Sequence, residues 1–225
     1  MTFSISARCN RTGMFGVAVS SSSPAVAARC AHARAGVGAV ATQNITDPTI
    51  GPRGLDLMAL GLPAADALAR IKQTSSYIDY RQIAFVDRNG NSVTHSGDKA
   101  LGIFNAIAFE NGAVAGNLLA SEDVLQNMAD YFQAHSDADL GDRLIGTMQA
   151  AMKAGGEAGP VHSAGMILVR DVAWPVADLR VDWHETDPIG ELANLWDRWK
   201  PQMDAYITRA LNPTEAPSYG VPGDK

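Results

Sequence analysis

The sequence predicts an α+β fold in four layers, α-β-β-α: two antiparallel sheets packed face to face, each covered on its outer side by helices. Three observations carry this expectation. Strand-like runs come in pairs around tight turns: residues 82–87 and 92–95 flank Arg88-Asn89-Gly90-Asn91, and residues 104–109 and 113–118 flank Glu110-Asn111-Gly112. Asn-Gly is a strong hairpin signal because the favoured two-residue turn needs positive φ at both central positions. Helical stretches arrive in pairs between the hairpins, which suggests helices on both outer faces of two packed sheets. Many strands also lack a polar face, as they would with one face on the other sheet and one under helices.

Taken in order, residues 2–9 read as a strand, 10–13 as a turn and 14–20 as the returning strand. Residues 20–24, four serines and a proline, form a polar break. A short strand spans 37–42, followed by a loop over 43–52. Residues 54–71 turn helical and break at Gly61-Leu62-Pro63, giving two helices with proline at a first helical position. After the two hairpins comes a helix capped by Ser121, with Glu122 and Asp123 in its first turn and an apolar stripe of Val124, Leu125, Met128 and Phe132. The next helix carries Leu140, Leu144, Ile145, Met148 and Met152 and stops at Gly155-Gly156. Residues 163–169 and 176–181 are two more strands. Asp187 caps a long final helix with Pro188 in first position; Trp196, Trp199 and Ile207 lie on its apolar face, and Pro201 kinks it. No linker or repeat divides the chain. A single domain over 1–211 is expected, with an extended, proline- and glycine-rich tail over 212–225 lying on the domain or on a partner subunit.

Composition narrows the function. The chain has 225 residues, 46 % of them hydrophobic, and a formal charge of −6. With no basic run it has no footprint for nucleic acid. No stretch approaches the roughly 18 apolar residues of a membrane span, and the start lacks the features of a signal peptide. Two cysteines cannot staple a secreted mini-domain. A cytoplasmic protein is expected. Charge is unevenly placed: residues 1–46 hold Arg8, Arg11, Arg29 and Arg34 but no acid and no lysine. These are either four solvated arginines or the wall of a positive pocket.

Gly36-Val37-Gly38-Ala39-Val40-Ala41 matches a dinucleotide-binding fingerprint. However, the following Thr42-Gln43-Asn44-Ile45-Thr46-Asp47-Pro48 cannot start the helix that such a site needs, so these glycines read as sites of close backbone packing. The run Asp182-Trp183-His184-Glu185-Thr186-Asp187 is the densest set of possible metal ligands, but Asp187 is better explained as a helix cap and the rest as a polar strand end. No cofactor and no metal are expected.

Thr2 is the most informative position. A small second residue favours removal of the initiator methionine, which leaves Thr2 with a hydroxyl nucleophile and an α-amine in one residue. Such an amine has an ordinary pKa near ~8 and can serve as general base without a histidine.

The order of strands and helices resembles the N-terminal-nucleophile hydrolase sandwich, proteasome β subunits included. More closely, the chain resembles the family catalogued as domain of unknown function 1028. The residues carrying that resemblance are Met1-Thr2-Phe3-Ser4-Ile5, Phe15-Gly16-Val17-Ala18-Val19, the run from Ala33 to Gln43, Gly51-Pro52-Arg53-Gly54-Leu55, Gly116-Asn117-Leu118-Leu119, Arg180-Val181-Asp182 and the ending from Pro217 to Asp224. The resemblance implies the four-layer fold and an amide-bond hydrolase. Thr2 is then the nucleophile, and Gln43, Asn44 or Asn117 donate to the oxyanion; Asn117 reads equally as a strand-end turn residue. Arg34 and Arg53 are candidates for recognising an anionic small-molecule amide, and Tyr219 for closing the pocket or gripping a second subunit in a homodimer. Proteasome-like members place a lysine and an acid near the nucleophile, and residues 1–46 have neither. That departure keeps open an alternative from another class, a non-catalytic binding or assembly module on the same fold.

Overall fold

The computed structural model describes residues 1–223. Six strands form one antiparallel sheet in the order β10 (Ala177–Val181), β9 (Ser163–Val169), β2 (Phe15–Ser21), β1 (Thr2–Arg8), β8 (Gly112–Asn117) and β7 (Asn105–Phe109). Four form the second: β3 (Ala31–Arg34), β4 (Gly38–Asn44), β5 (Arg81–Asp87) and β6 (Ser92–Ser96). The single turn α1 (Ala27–Cys30) leads into β3, and α2 (Ile50–Ala59) and α3 (Ala64–Thr74) cover the outer face of the smaller sheet. Helices α4 (Asp123–Ala134), α5 (Leu140–Lys153) and α6 (Pro188–Trp199) cover the larger one. The architecture is thus the four-layer α-β-β-α sandwich expected from the sequence.

Three apolar layers hold it together. Phe3, Ile5 and Ala7 of β1 point at α4 and α5, with Leu125, Met128, Phe132 and Leu144 opposite. Each buried side chain of this size contributes about 2 kcal/mol. Ile83 and Phe85 meet Ile50, Met58 and Leu68 under α2 and α3. Between the sheets the residues are smaller: Val17, Ala39, Ala41, Ala84, Ala113 and Ala115. Strand alternation sends the other side of β1 into this middle layer, so Thr2, Ser4 and Ser6 are all buried. The polar face of β1 is therefore an interior face, and its groups need partners.

Several local expectations change. Strand β3 was not expected, and its turn needs Gly36 at φ +68°. A Cβ on Gly38 would fall 2.4 Å from the Val86 carbonyl oxygen, so this glycine serves close packing. Ser121 does not cap α4, which begins two residues later with no side-chain cap at Glu122. Asp187 does cap α6: its Oδ1 accepts from the Gly190 N–H at 2.8 Å. Pro201 sits in a 3-10 turn, Lys200–Gln202, that separates α6 from α7 (Met203–Leu211). In the tail, Tyr219 lies against α7, its ring 6.0 Å from that of Tyr206 and 3.8 Å from the Arg209 guanidinium. Asp224, the end of the expected family motif, and Lys225 lie outside the described residues. Among the described residues no helix is long and apolar enough to cross a membrane.

Candidate active site

Thr2 opens β1, the central strand of the larger sheet, with β2 on one side and β8 on the other. In register it stands opposite Asn117, and its hydroxyl lies 3.3 Å from Ser21 Oγ on β2. Both hydroxyls donate to the Met1 carbonyl oxygen, Ser21 at 2.5 Å. Ser21 continues to Ser23 Oγ at 2.9 Å, and Ser23 accepts from Arg29 Nη2 at 2.6 Å. The Met1 carbonyl and the Ser21 and Ser23 hydroxyls thus link Thr2 to a guanidinium, which Pro24 and Ala25 carbonyls hold in place.

Below Thr2 the middle layer is filled by amides. Ser4 donates to Gln43 Oε1 at 2.6 Å, while Gln43 Nε2 and Asn117 Nδ2 both donate to Gln82 Oε1, at 3.2 and 3.0 Å. Gln82 Nε2 in turn reaches the Gly116 carbonyl at 2.9 Å and Ser96 Oγ at 3.0 Å. Gln43, Gln82 and Asn117 are all buried, so this network fixes rotamers and leaves little freedom for its members to turn.

The acid comes from a distant part of the chain. After α5, Gly155 and Gly156 take φ +109° and +61°, a reversal that residues with a Cβ rarely make. This turn brings Glu157 alongside Leu119 and buries it to 5 % exposure. Its Oε2 accepts from the Ser22 N–H at 3.2 Å, while Oε1 has no partner. Burial pushes its carboxyl up to about 8; the chain's terminal amine and the Ser22 N–H pull the other way without overcoming it.

Of the residues singled out from sequence, the structure brings together Thr2, Gln43 and Asn117. Asn44 is close in sequence but turned outward: at φ +74° it donates to the Tyr80 carbonyl at 2.6 Å and accepts from the Leu101 N–H at 3.2 Å. Arg34 stands elsewhere. It is opposite Gly38, five residues along β4 from Gln43 or about 17 Å, and is paired with Asp56 at 2.9 Å. Arg53 ties α2 to the end of α3 through Thr74 and Ser75. Arg34 and Arg53, the candidates for anion recognition, are thus engaged by Asp56 and by Thr74 and Ser75. Tyr219 contacts α7 instead. Gly116, beside Asn117, faces Leu119 and Leu125 in the helix layer. Thr2 does not face open space while Met1 is in place. Thr2 is 6 % exposed, and the Met1 side chain packs on Gly159, where an added Cβ would meet its Cε at 3.0 Å.

Sequence reasoning missed Ser21, Ser23, Gln82 and Glu157, and it named Arg29 only as one of four arginines that were either solvated or the wall of a positive pocket. One signal was present: Gly155-Gly156-Glu157-Ala158-Gly159 sets a single acid among small residues just after a helix.

The family model described as "Family of unknown function (DUF1028)" matches residues 2–192. The crystal structure of a protein assigned to that family model, from Silicibacter pomeroyi, is similar with 29 % identity and a TM-score of 0.81, covering 88 % of each chain. A Gly-1 mutant of Anbu from Hyphomicrobium sp. strain MC1 has 11 % identity and a TM-score of 0.43, covering 92 % of this chain and 99 % of that one. Anbu, an ancestral β-subunit, from Yersinia bercovieri has 10 % identity and a TM-score of 0.40, covering 91 % and 97 %. At that level of likeness neither Anbu structure bears on chemistry. No curated protein matches the chain.

Proposed function

The chain belongs to the DUF1028 family of unknown function, and we propose that it is an N-terminal-nucleophile amidohydrolase in which Thr2, freed by removal of Met1, attacks a small amide. One observation carries this reading: Thr2 Oγ1 sits in a buried hydroxyl cluster at the start of the central strand, with the Glu157 carboxyl beside the chain's amine. Loss of Met1 vacates the space over Gly159 and makes Thr2 the chain's terminal amine, while Glu157 Oε1 has no hydrogen-bond partner. Glu157 then supplies, from the far side of the sequence, the acid that residues 1–46 lack.

The chemistry balances without a cofactor. The Thr2 amine takes the proton from Oγ1, and Oγ1 bonds to the amide carbon, whose oxygen becomes an oxyanion. The C–N bond breaks, the amine product leaves with the proton, and water hydrolyses the remaining ester and restores the hydroxyl. Ser21 is placed to donate to the oxyanion, since it already donates to the carbonyl oxygen now in that space. With Arg34 and Arg53 engaged elsewhere, the guanidinium that the hydrogen-bond chain brings to the site is that of Arg29, held by Ser23 and by the Pro24 and Ala25 carbonyls.

A second reading, a binding or assembly module without catalysis, is favoured by one fact: Met1 fills the mouth and Thr2 is buried beneath it. The intact mass of natively made protein decides. Loss of one methionine residue is the expected result, and full retention of Met1 overturns the hydrolase. The homodimer is likewise a proposal, checked by light scattering on the full chain.

A further inference from the structure

The far end of β1 from Thr2 holds a second feature. Arg8 closes the strand six residues on, about 20 Å away. Its Nη1 donates to Asn111 Oδ1 at 2.9 Å, while its Nε is buried with no partner. Arg143, in the first turns of α5, is 5 % exposed. Its Nη2 donates to the Phe132 carbonyl at 2.7 Å near the end of α4, its guanidinium lies 3.7 Å from the Phe132 ring centre, and its Nε is also buried with no partner. Both guanidinium groups line one cavity of about 240 Å³, together with Asn10, Asn111, Gln133 and Ser136.

We propose that this cavity is a binding site for a small oxyanion, a phosphate or carboxylate group on a compact ligand, separate from the Thr2 site. Among the described residues neither arginine is in an ion pair. Glu110, also on the cavity wall, is exposed, and its Oε1 accepts from Asn111 Nδ2 at 3.3 Å. Asp137 and Arg11 act on Arg143 from further off with opposite sign, and a buried cation without a directly paired counter-charge is unfavourable. The end of α4 and the Phe132 ring offset part of that penalty. They engage Nη2 and the flat face of the group, however, and leave Nε–H unused. Guanidinium donors lie in the planar fork that suits an oxyanion, and two of them with neutral Asn, Gln and Ser groups make a site of that chemistry. The volume is below that of a pocket for a drug-sized molecule, so the ligand has a short skeleton.

The test is calorimetry and thermal unfolding of the full chain with inorganic phosphate or malonate, each against chloride at matched ionic strength. Tenfold excess of a bound anion over its Kd raises Tm by about 3 °C or more. Phosphate alone acting points to a phosphoryl ligand, malonate alone to a carboxylate, and both to the shared group. Arg8→Gln weakens binding at least about tenfold. Because that change alters a hydrogen bond to Asn111, Gln133→Glu at the exposed rim gives a second variant, and it weakens binding by adding a like charge. The proposal is overturned if neither anion acts beyond chloride on the wild type, or if both variants bind as the wild type does.

Discussion

The two ends of β1 treat buried charge in opposite ways. At the Thr2 end the buried charge-bearing group is an acid, Glu157, with an amine nearby and a relay of hydroxyls leading to Arg29. At the Arg8 end Arg8 and Arg143 line one cavity with Glu110 on its wall, and among the described residues no acid is ion-paired to either arginine. Neither arrangement serves stability alone, because apolar residues of similar volume would pack there at no desolvation cost. The Thr2 end has its polar groups matched within the chain, apart from one carboxyl oxygen. The Arg8 end leaves two buried guanidinium Nε donors without a hydrogen-bond partner.

The largest expected effect separates the ends by activity. Thr2→Ala removes the nucleophile and lowers turnover of any amide found to be a substrate by about 10⁴-fold or more. Arg8→Gln leaves that turnover within about twofold, since its site lies at the other end of the strand. Equal losses in both variants would merge the two ends into one site and break the comparison.

Next is Gln82→Ala, a test of how much the Thr2 end owes to its amide network. It strips partners from Gln43, Asn117, Ser96 and the Gly116 carbonyl at once. Leaving several buried polar groups unmatched costs about 3 kcal/mol or more, a fall in Tm of about 6–12 °C for a chain of this size. A loss below about 1 kcal/mol would show the network to be wet rather than closed.

Some of this was legible in the sequence and some was not, for identifiable reasons. Helices α5 and α6 announce themselves, because each carries its own apolar stripe and stop or cap signal. Strand β3, Ala31-His32-Ala33-Arg34, has no β-branched residue and only four positions, so no periodicity could reveal it. That omission misplaced Arg34: without the β3–β4 turn, nothing tells which end of β4 it faces. Thr2, Gln43 and Asn117 each lie at or next to a strand end, and that shared position is what the sequence could show of their grouping. Ser4 and Ser6 lie under the second sheet and are fully buried, and strand alternation alone does not tell a buried polar face from a wet one. Glu157 contacts the N-terminal region only through the tertiary fold, and a single chain carries no signal for such a pairing. Ser121 followed capping preference, but α4 starts at Asp123 without it.

The charge on Glu157 sharpens the comparison through pH. Its carboxyl is raised from 4.5 to about 8 in the folded chain, so between those values the native state holds a proton that the unfolded state has released. Stability therefore falls as pH rises across that window, by at most about 1.4 kcal/mol for each step of one in pH. Glu157→Gln cannot ionise, and its unfolding free energy changes less between pH 5 and pH 8 than that of the wild type. Denaturant titrations at several pH values measure this. Parallel curves for the two proteins would mean that Glu157 is solvated and does not belong to a closed site.

The smallest effect concerns the relay. Ser23→Ala removes the hydroxyl between Ser21 and Arg29, while Arg29 keeps its bonds to the Pro24 and Ala25 carbonyls at 2.7 and 3.0 Å. The guanidinium stays where it is, and Ser21 keeps its bond to the Met1 carbonyl. One lost link in a partly exposed chain is worth about 1 kcal/mol, or about 2–4 °C in Tm. Anion binding at the Arg8 end should not change, because the two features share no residue. Thermal unfolding with and without phosphate reads both quantities on one sample. A drop above about 3 kcal/mol would mean that Ser23 holds up the fold of the whole 20–24 segment. A weakened phosphate response would mean that the two ends of β1 are coupled, and the contrast between them would then describe two halves of a single device.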